Sequence, residues 1–342
     1  METFDVIIVG GGPAGLQCAR ELSQSQLSVL LLEKGPVFGD KLCAGGLTLK
    51  DMGVLPLPDH IIQQKISRAA LHSRKRSADT LTHVPYLFTV DRKDLGAYQR
   101  SLLEETAVVV RTDSQVTEIG KDHLNLKTGE VYAFRYLVGA DGYSSIVRRH
   151  LGLKVRKKLI GFQYTIAVKE EHPTLEMFLD ARRFHLWYAW IFPHGKTIAV
   201  GCCCDPDRMD PQKLKKEFHL WLEEMGMERG EAKMESCPIA WDYQGYEFEN
   251  IFLAGEAAGL ASGFTGEGIY QALVSGQEVA RKIMDPEYPA EQLKQVLQYN
   301  RVLERMMAVF RWAGPLRGAM QEFLLFLMTR SWIRDKINAM FS

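Results

Sequence analysis

The chain has 342 residues, with 42 Lys+Arg against 42 Asp+Glu, 46% hydrophobic residues and 10% aromatic residues. This composition is typical of a folded protein and excludes a disordered chain or a coiled coil, and the length allows about two or three structural units. The formal net charge of zero argues against a nucleic-acid partner, because no overall positive field attracts a phosphate backbone.

The sequence predicts neither a membrane span nor a metal site. No stretch of about 18 consecutive apolar residues occurs. The N-terminus enters the strand-like run FDVIIVG without a basic region and cleavage site, so we expect a cytoplasmic protein. The six cysteines have no CxxC spacing, and three of them, Cys202 to Cys204, are consecutive. They predict reduced thiols, and the consecutive three predict packing within a strand.

The N-terminal segment has the order strand, glycine-rich turn, helix, strand, acid. Its parts are a strand at residues 4–9, the turn GGGPAG, a helix at residues 14–24, a strand at residues 28–32, and Glu33. The β-branched and apolar residues of the first strand indicate a strand buried on both faces of a parallel sheet. This order is typical of a Rossmann-type dinucleotide-binding unit.

Three glycines and one acid of this segment have expected roles. Gly10 permits the tight turn, Gly12 lets a pyrophosphate approach the backbone, and Gly15 lets the helix and the strand pack closely. The helix N-terminus faces the phosphates. Glu33, 18 residues after Gly15, is placed to accept hydrogen bonds from the adenosine ribose hydroxyls. The fingerprint alone leaves NAD and FAD open.

Three later segments continue the pattern. Arg92 follows a strand-like stretch and begins a helix, which puts its guanidinium where it can pair with a phosphate. Residues 136–145, YLVGADGYSS, predict an apolar strand whose terminal glycines allow a ligand close to the turn. Residues 251–259, IFLAGEAAG, predict another buried strand, and the glycine loop SGFTGEGIYQAL then opens a helix.

Together these segments resemble the FAD-containing oxidoreductases built like aromatic hydroxylases. The resemblance implies an α/β fold, in which a Rossmann-type FAD-binding domain with a three-layer parallel sheet is interleaved with a substrate domain of mixed antiparallel sheet. The expected domains are an FAD-binding domain at 1–45, 84–151 and 245–288, a substrate-binding domain at 46–83 and 152–244, and a C-terminal helical region at 289–342.

The same resemblance implies cofactor contacts. Val116 would contribute backbone at the adenine side, and Asp141-Gly142 would brace the dinucleotide region. Glu256, where the family usually has Asp, would bind the ribityl or pyrophosphate end of FAD, and Gly268 and Ile269 would present backbone amides to the isoalloxazine. The expected cofactor-binding residues are Gly10, Gly12, Ala14, Gly15, Glu33, Lys41, Ala44, Arg92, Val116, Asp141, Gly142, Glu256, Gly268 and Ile269.

Residues 187–193, WYAWIFP, are similar to the Tyr-x-Trp-x-Phe-Pro motif of the geranylgeranyl reductases, flavoenzymes that saturate double bonds in polyprenyl chains. The loop TGEGIYQAL and the segment DKLCAGGL resemble theirs as well. In a strand, Tyr188, Trp190 and Phe192 share one face because side chains alternate. They predict an aromatic wall that binds an isoprenoid; an ordinary sheet core is the alternative.

The resemblance implies hydride transfer from reduced FAD to an alkene, a poor hydride acceptor that also needs a proton donor. By its position in the family motif, Cys43 is the candidate donor, with a small buried hydrophobe as the alternative. Lys41 is expected to pair with flavin phosphate or pyrimidine oxygens. No second glycine fingerprint occurs, so the electrons would come from transiently bound NAD(P)H or from a ferredoxin-like protein.

The C-terminal region predicts helices that break at Gly314-Pro315. A final helix at residues 316–341 is crowded with apolar residues. It suits a helix at a membrane interface, on the inner face, and it suits docking on the substrate domain equally well. Two basic clusters, at residues 68–76 and 148–158, could meet an anionic partner or headgroup or could be ordinary solvated surface.

Three functions follow. The favoured one is a flavin-dependent reductase of a polyprenyl, geranylgeranyl-type chain carried on a lipid, a quinone or a diphosphate. An FAD-dependent monooxygenase or halogenase is the second, although Tyr188 at the first aromatic position departs from the halogenase motif Trp-x-Trp-x-Ile-Pro. A non-catalytic isoprenoid carrier is the third, and the presence of both flavin loops argues against it.

Overall fold

The structure, a computed structural model, describes residues 1–329. The strands in this range are β1 (Glu2–Val9), β2 (Val29–Leu32), β3 (Gly46–Thr48), β4 (Ile62–Ile66), β5 (Arg68–His72), β6 (Ser77–Leu81), β7 (Leu87–Val90), β8 (Val109–Arg111), β9 (Val116–Ile119), β10 (His123–Leu126), β11 (Val131–Gly139), β12 (Lys158–Ala167), β13 (Leu175–Phe178), β14 (Ala189–His194), β15 (Thr197–Cys204), β16 (Glu235–Ala240), β17 (Glu247–Phe248) and β18 (Ile251–Leu253). The helices are α1 (Pro13–Leu22), α2 (Leu49–Val54), α3 (Arg92–Ser101), α4 (Ile146–His150), α5 (Pro211–Glu224), α6 (Ile269–Met284), α7 (Glu291–Trp312) and α8 (Arg317–Met328).

The chain divides into two compact units, each assembled from separate stretches of sequence. The first unit contains residues 1–41, 92–158 and 239–301, and the second contains residues 42–91, 159–238 and the described residues from 302 onward. These boundaries differ from the sequence-based domains, which place residues 42–45 and 84–91 on the nucleotide side. The reason is hydrogen bonding, because β7 pairs with β3 and β4 in a three-stranded antiparallel sheet of the second unit.

The first unit is built on a sheet with a parallel centre. Its strand order is β17-β18-β11-β1-β2-β8, with β10 paired to β11 and β9 paired to β10, and β1 is parallel to both neighbours. Alternate residues of β1 enter two different cores, Val6 and Ile8 on the α1 side and Ile7 and Val9 on the other. A strand buried on both faces needs cover on both, which confirms the predicted three-layer α/β fold.

The second unit is built on a largely antiparallel sheet. Its strand order is β16-β12-β15-β14-β13-β5-β6, in which β13 and β5 run parallel. Helix α5 covers one face, with Leu214 and Phe218 fully buried among the sheet residues. Cys202 to Cys204 lie in β15 and are buried, as expected for strand packing. This sheet positions the aromatic segment of the sequence.

The C-terminal part is helical as expected, and it breaks where the sequence predicts. A short 3-10 turn at Gly314–Leu316 separates α7 from α8. The predicted final helix continued to residue 341, and its residues from 330 onward, including Trp332, Ile333, Ile337 and Phe341, lie outside the described residues. In the described part of the chain, no helix is long and apolar enough to cross a bilayer.

Candidate functional site

The glycine-rich turn after β1 packs backbone against backbone. Gly10 has a φ of 105°, a conformation that favours glycine. A Cβ on Gly15 would lie 1.9 Å from the Gly10 carbonyl oxygen, so the close approach of α1 to the strand requires glycine there. A Cβ on Gly12, by contrast, would have no heavy atom within 4 Å. The geometry therefore gives Gly10 and Gly15 the structural roles expected of them and leaves an open surface at Gly12.

That open surface lies at a helix N-terminus without a side-chain cap. Gly12 is the N-cap of α1, Pro13 occupies the first helical turn, and no side chain caps the helix. The first N–H groups of a helix have no intrahelical partners, and with the helix dipole they favour an anion. The backbone here, including Ala14, fits a pyrophosphate.

Glu33 is held by two backbone groups at the end of β2. Its Oε2 accepts a hydrogen bond from the Gly11 N–H at 2.7 Å, and its Oε1 accepts one from the Gly35 N–H at 3.0 Å. Each carboxylate oxygen has a second lone pair. Glu33 is therefore fixed in orientation while it keeps the capacity to accept ribose hydroxyls, the role that the sequence predicts.

Two buried polar atoms that belong to predicted cofactor-binding residues have no partner within the described residues. One is the Nε of Arg92, at the start of α3, and the other is the Oδ1 of Asp141, which follows β11. The Oδ2 of Asp141 accepts a hydrogen bond from the Ile146 N–H at 2.6 Å. Burial raises the pKa of Asp141, and hydrogen bonds from Ser145 and Ile146 oppose that rise. An unsatisfied buried donor and acceptor are costly, so both atoms fit a polar ligand such as FAD.

Lys41 and Glu256 form an ion pair with each other. The other oxygen of Glu256 accepts a hydrogen bond from the Ala240 N–H at 2.8 Å. Gly142, which has a φ of 71°, lies beside them, since a Cβ on it would be 3.9 Å from the Glu256 Oε2. The structure thus brings together three residues that the resemblance assigned separately to the cofactor, and the Lys41 ammonium neutralises the Glu256 carboxylate.

The remaining cofactor candidates have fewer distinguishing contacts. The side chain of Val116 is buried in the core, so only the backbone of this residue is available for a ligand, as the resemblance implies. Gly268 is the N-cap of α6 and Ile269 its first residue, and no side chain caps this helix either. The expected backbone amides therefore stand at a second uncapped helix N-terminus.

In the second unit, alternate residues of β14 form the expected aromatic face. Trp190, Phe192 and His194 are half-buried on one face, and the residues between them are buried on the other. Tyr188 lies before the strand rather than in it, because the chain reaches β14 through a turn over residues 181–187. Its ring still meets the Trp190 ring edge-on, with centroids 6.1 Å apart.

Two glycines of neighbouring strands accommodate these rings. A Cβ on Gly201 of β15 would lie 2.3 Å from the Cζ2 of Trp190, and a Cβ on Gly46 of β3 would lie 2.3 Å from the Cε1 of Phe192. Each ring therefore lies directly on a bare backbone and is fixed in position. The Trp190 Nε1 is buried and has no hydrogen-bond partner within residues 1–329. An aromatic wall with one unsatisfied donor suits a long apolar ligand that carries a polar group.

His194 joins this wall to the cysteine-containing segment, a role that the sequence analysis missed. Its Nε2 is 2.9 Å from the Ala44 carbonyl oxygen. Burial lowers the pKa of His194, so its ring is neutral at pH 7 and Nε2–H donates to that carbonyl. A Cβ on Gly45 would lie 2.8 Å from the His194 Cε1. The only sequence signal is that His194 lies two residues after Phe192, on the same strand face.

Cys43 is exposed, which contradicts the alternative interpretation of a small buried hydrophobe. Its Sγ accepts a hydrogen bond from the Gly45 N–H at 3.4 Å, and its carbonyl accepts one from the Gln163 Nε2 at 3.4 Å. The thiol therefore lies at the surface of the second unit on a segment whose backbone is held in place.

One residue of the second basic cluster, at residues 148–158, is buried. Arg148 is 2% exposed and pairs with the buried Asp242 at 3.0 Å. Its guanidinium also donates to the carbonyl of Ala257, within the 3-10 turn that carries Glu256. The charge of this arginine is compensated in the interior, so the expectation of a surface cation is wrong at this position.

With this geometry established, comparison with known sequences gives consistent matches. The family model described as Lycopene cyclase protein matches residues 5–311. A geranylgeranyl diphosphate reductase from Rhodobacter capsulatus is 28% identical over 306 residues, covering 82% of this chain and 75% of the relative. A digeranylgeranylglycerophospholipid reductase from Methanocaldococcus jannaschii is 25% identical over 355 residues, covering 89% and 88%.

Solved structures share the fold. A geranylgeranyl bacteriochlorophyll reductase-like protein from Thermoplasma acidophilum superposes with a TM-score of 0.82 at 20% identity, covering 97% of this chain and 92% of that chain. A flavin-dependent brominase superposes with a TM-score of 0.69 at 17% identity, covering 99% and 93%. The predicted resemblance to geranylgeranyl reductases is confirmed by these relatives, and the solved structures confirm the fold.

Proposed function

The chain belongs to the lycopene cyclase protein family, and from this premise we propose that it is an FAD-dependent reductase that saturates carbon–carbon double bonds of a polyprenyl chain. One observation carries the proposal: relatives with geranylgeranyl reductase names align with at least 82% of this chain. The alignment therefore spans the residues of both units rather than the dinucleotide fingerprint alone.

The residues of the first unit support FAD as the cofactor. The open backbone at Gly12 and Ala14 would hold the pyrophosphate, Glu33 the adenosine ribose, and the unsatisfied Arg92 Nε and Asp141 Oδ1 further polar groups. When bound and reduced, FAD supplies a hydride to the alkene. We propose NAD(P)H, bound transiently, or a ferredoxin-like protein as the source of the electrons.

The residues of the second unit would bind the isoprenoid and handle the proton. Trp190 and Phe192 are locked on glycines and present fixed faces to an apolar chain. The electron-rich faces of aromatic rings stabilise the positive charge that develops on a tertiary alkene carbon during protonation. The exposed Cys43 thiol is the proposed proton donor, and the hydrogen bond from His194 to the Ala44 carbonyl holds its segment.

The family description names a cyclisation, and this is the second candidate function. Cyclisation of a polyene leaves the number of hydrogens unchanged, whereas reduction adds two hydrogens for each double bond. The names of the relatives favour reduction for this chain. The two reactions are therefore separable by the mass of the product.

The experiment is anaerobic. The purified protein is reduced with dithionite and incubated with geranylgeranyl diphosphate, and the products are analysed by mass spectrometry. We expect products that have gained pairs of hydrogens, and we expect this gain to disappear in Trp190→Ala and in a variant that cannot bind flavin. A product of unchanged mass and altered retention would instead indicate cyclisation. No product from several prenyl classes, with flavin bound and reducible, would favour oxygen-dependent chemistry.

The carrier of the prenyl chain is a lipid, a quinone or a diphosphate in this proposal. The first two reside in a bilayer, so an enzyme acting on them has to meet a membrane surface. We therefore propose peripheral contact with a membrane through the C-terminal helices, in keeping with their apolar composition.

A further inference from the structure

Helix α8 has its polar and apolar faces reversed relative to an ordinary surface helix. The buried face carries Arg317 and Gln321 beside Leu325. The outward positions, at intervals of three and four residues, are apolar and exposed, and they are Leu316, Ala319, Phe323 and Phe326. Phe323 is 61% exposed, whereas Gln321 is 4% exposed. We call the four outward residues the α8 stripe. A surface helix in water normally directs its apolar residues toward the core and its polar residues toward solvent.

The reversal is anchored by hydrogen bonds from the polar residues inside. The Gln321 Oε1 accepts a hydrogen bond from the Ala181 N–H at 3.0 Å, and the Arg317 Nε donates to the Phe310 carbonyl at 3.0 Å. These buried groups are satisfied where they are, and rotating the helix would leave Ala181 and Phe310 without these partners. The outward orientation of the α8 stripe is thus built into the packing of the second unit.

A basic turn flanks the α8 stripe. The turn between β5 and β6 contains Arg74, Lys75 and Arg76. The Lys75 N–H and the Arg76 Nη1 both donate to the Glu322 carboxylate at 3.2 Å, and the Arg76 guanidinium lies 5.8 Å from the centroid of the Phe326 ring. The Lys75 side chain has no ion-pair partner among residues 1–329. Cations therefore border the apolar surface directly.

The acidic groups near this turn do not cancel its charge. Arg74 lies 3.8 Å from Asp180, and Arg76 pairs with Glu322. Those two acids are balanced by two of the three cations, which leaves a net positive turn.

Trp312 is 90% exposed at the end of α7, just before the break that leads into α8. Aromatic residues and long cationic side chains are the types that concentrate at the boundary between lipid and water.

We propose that the α8 stripe and its basic turn dock this protein on an anionic lipid bilayer. Apolar side chains enter the headgroup boundary, and the cations face the phosphates. A second copy is the weaker candidate, because a symmetric interface through this face would bring two basic turns together. The inference rests on the proposed function for its choice of a bilayer, and it adds the residues that make the contact.

The test is vesicle co-flotation of the full chain with its flavin, without turnover. The vesicles contain either phosphatidylcholine alone or equal parts of phosphatidylcholine and phosphatidylglycerol. We expect binding to the anionic vesicles, reduced at least about tenfold in the double variant Trp312→Ser/Phe323→Ser because two exposed aromatic side chains no longer enter the bilayer. Leu220→Ser on α5, an exposed apolar position that is not part of the stripe, is the matched control and should bind as wild type.

Charge is tested separately. Lys75→Glu should weaken binding to anionic vesicles and leave binding to neutral vesicles unchanged, while Lys216→Glu on α5 should change neither. Wild-type-like binding of the double variant would overturn the proposal. A lowered unfolding midpoint in the double variant would also overturn it, because the stripe would then be covered within the chain. A dimer in light scattering that the double variant dissociates would overturn it as well. Reduction of a water-soluble prenyl diphosphate is measured on the same variants, so loss of docking is distinguishable from failure of the proposed reductase.

Discussion

Two glycines of the first unit and one of the second make close contacts of different kinds. In the first unit, a Cβ on Gly15 would lie 1.9 Å from the Gly10 carbonyl oxygen, and a Cβ on Gly276 would lie 2.2 Å from the Ala14 carbonyl oxygen. In the second unit, a Cβ on Gly46 would lie 2.3 Å from the Phe192 ring. A backbone contact can relax only if a whole helix or strand moves, whereas a ring can rotate or be removed. Gly15 and Gly276 therefore accept a side chain only if a helix or strand moves, whereas Gly46 accepts one if the Phe192 ring moves.

The largest effect is expected in the first unit. Gly15→Ala should lower the free energy of unfolding by about 3 kcal/mol or more, because the added Cβ overlaps the Gly10 carbonyl and separates α1 from β1. Denaturant titration measures this change. Gly12→Ala is the matched control, since its Cβ meets no atom.

Gly12→Ala also separates the fold from the cofactor. Its unfolding free energy should stay within about 1 kcal/mol of wild type, while its flavin content falls because the methyl group occupies the approach of the pyrophosphate. Wild-type flavin content in this variant would contradict the proposed position of the pyrophosphate. Unchanged stability in Gly15→Ala would contradict the backbone contact itself.

The next effect tests the ring contact of the second unit. Gly46→Ala should cost about 1–3 kcal/mol of unfolding free energy, because the methyl group pushes the Phe192 ring off β3. In the background Phe192→Ala the same substitution should cost much less, since the ring is gone. A double-mutant cycle measures the difference. Additive costs would show that the methyl group strains something other than the ring.

A smaller effect is expected at His194. Replacement by Ala should cost about 1–2 kcal/mol, because the Ala44 carbonyl loses its donor in a half-buried site. The segment that carries Cys43 should loosen, so the exposed thiol should react faster with a thiol reagent. His150→Ala, an exposed position in α4, is the control. An unchanged rate would mean that His194 does not position the cysteine segment.

The smallest effect concerns the Glu176 carboxylate, which is hydrogen-bonded to two histidines of the second unit. Burial raises the pKa of Glu176, but hydrogen bonds from His172 and His72 at 2.7 Å outweigh it and lower the pKa to about 2. A carboxyl group with a lowered folded pKa stabilises the fold above its unfolded pKa of about 4.5, and this stability is lost as the pH falls toward 2.

The corresponding variant is Glu176→Gln, and the measurement is the unfolding free energy against pH. Because the site is partly exposed, we expect it to be less stable than wild type at neutral pH by about 1 kcal/mol or less, with the difference shrinking between pH of about 4.5 and 2. A constant difference across that range would show that the carboxylate charge is not the cause.

The sequence by itself determined the architecture of the first unit and the family resemblance. A strand buried on both faces, a glycine turn and an amphipathic helix are local patterns, so β1, its turn and α1 can be predicted from the sequence alone. The same alternation placed Trp190 and Phe192 on one strand face. It failed at Tyr188 because a turn shifts the start of β14 by one residue, which no local periodicity specifies.

Only the tertiary structure decided which of these residues meet. The Lys41–Glu256 pair joins positions 215 apart in the chain, and the His194–Ala44 hydrogen bond joins positions 150 apart. Such contacts depend on the register of strands and the packing of helices, so a one-dimensional pattern does not contain them. Arg148 is buried rather than exposed, and α8 turns its apolar face outward, for the same reason: the partners that hold each side chain come from distant parts of the chain.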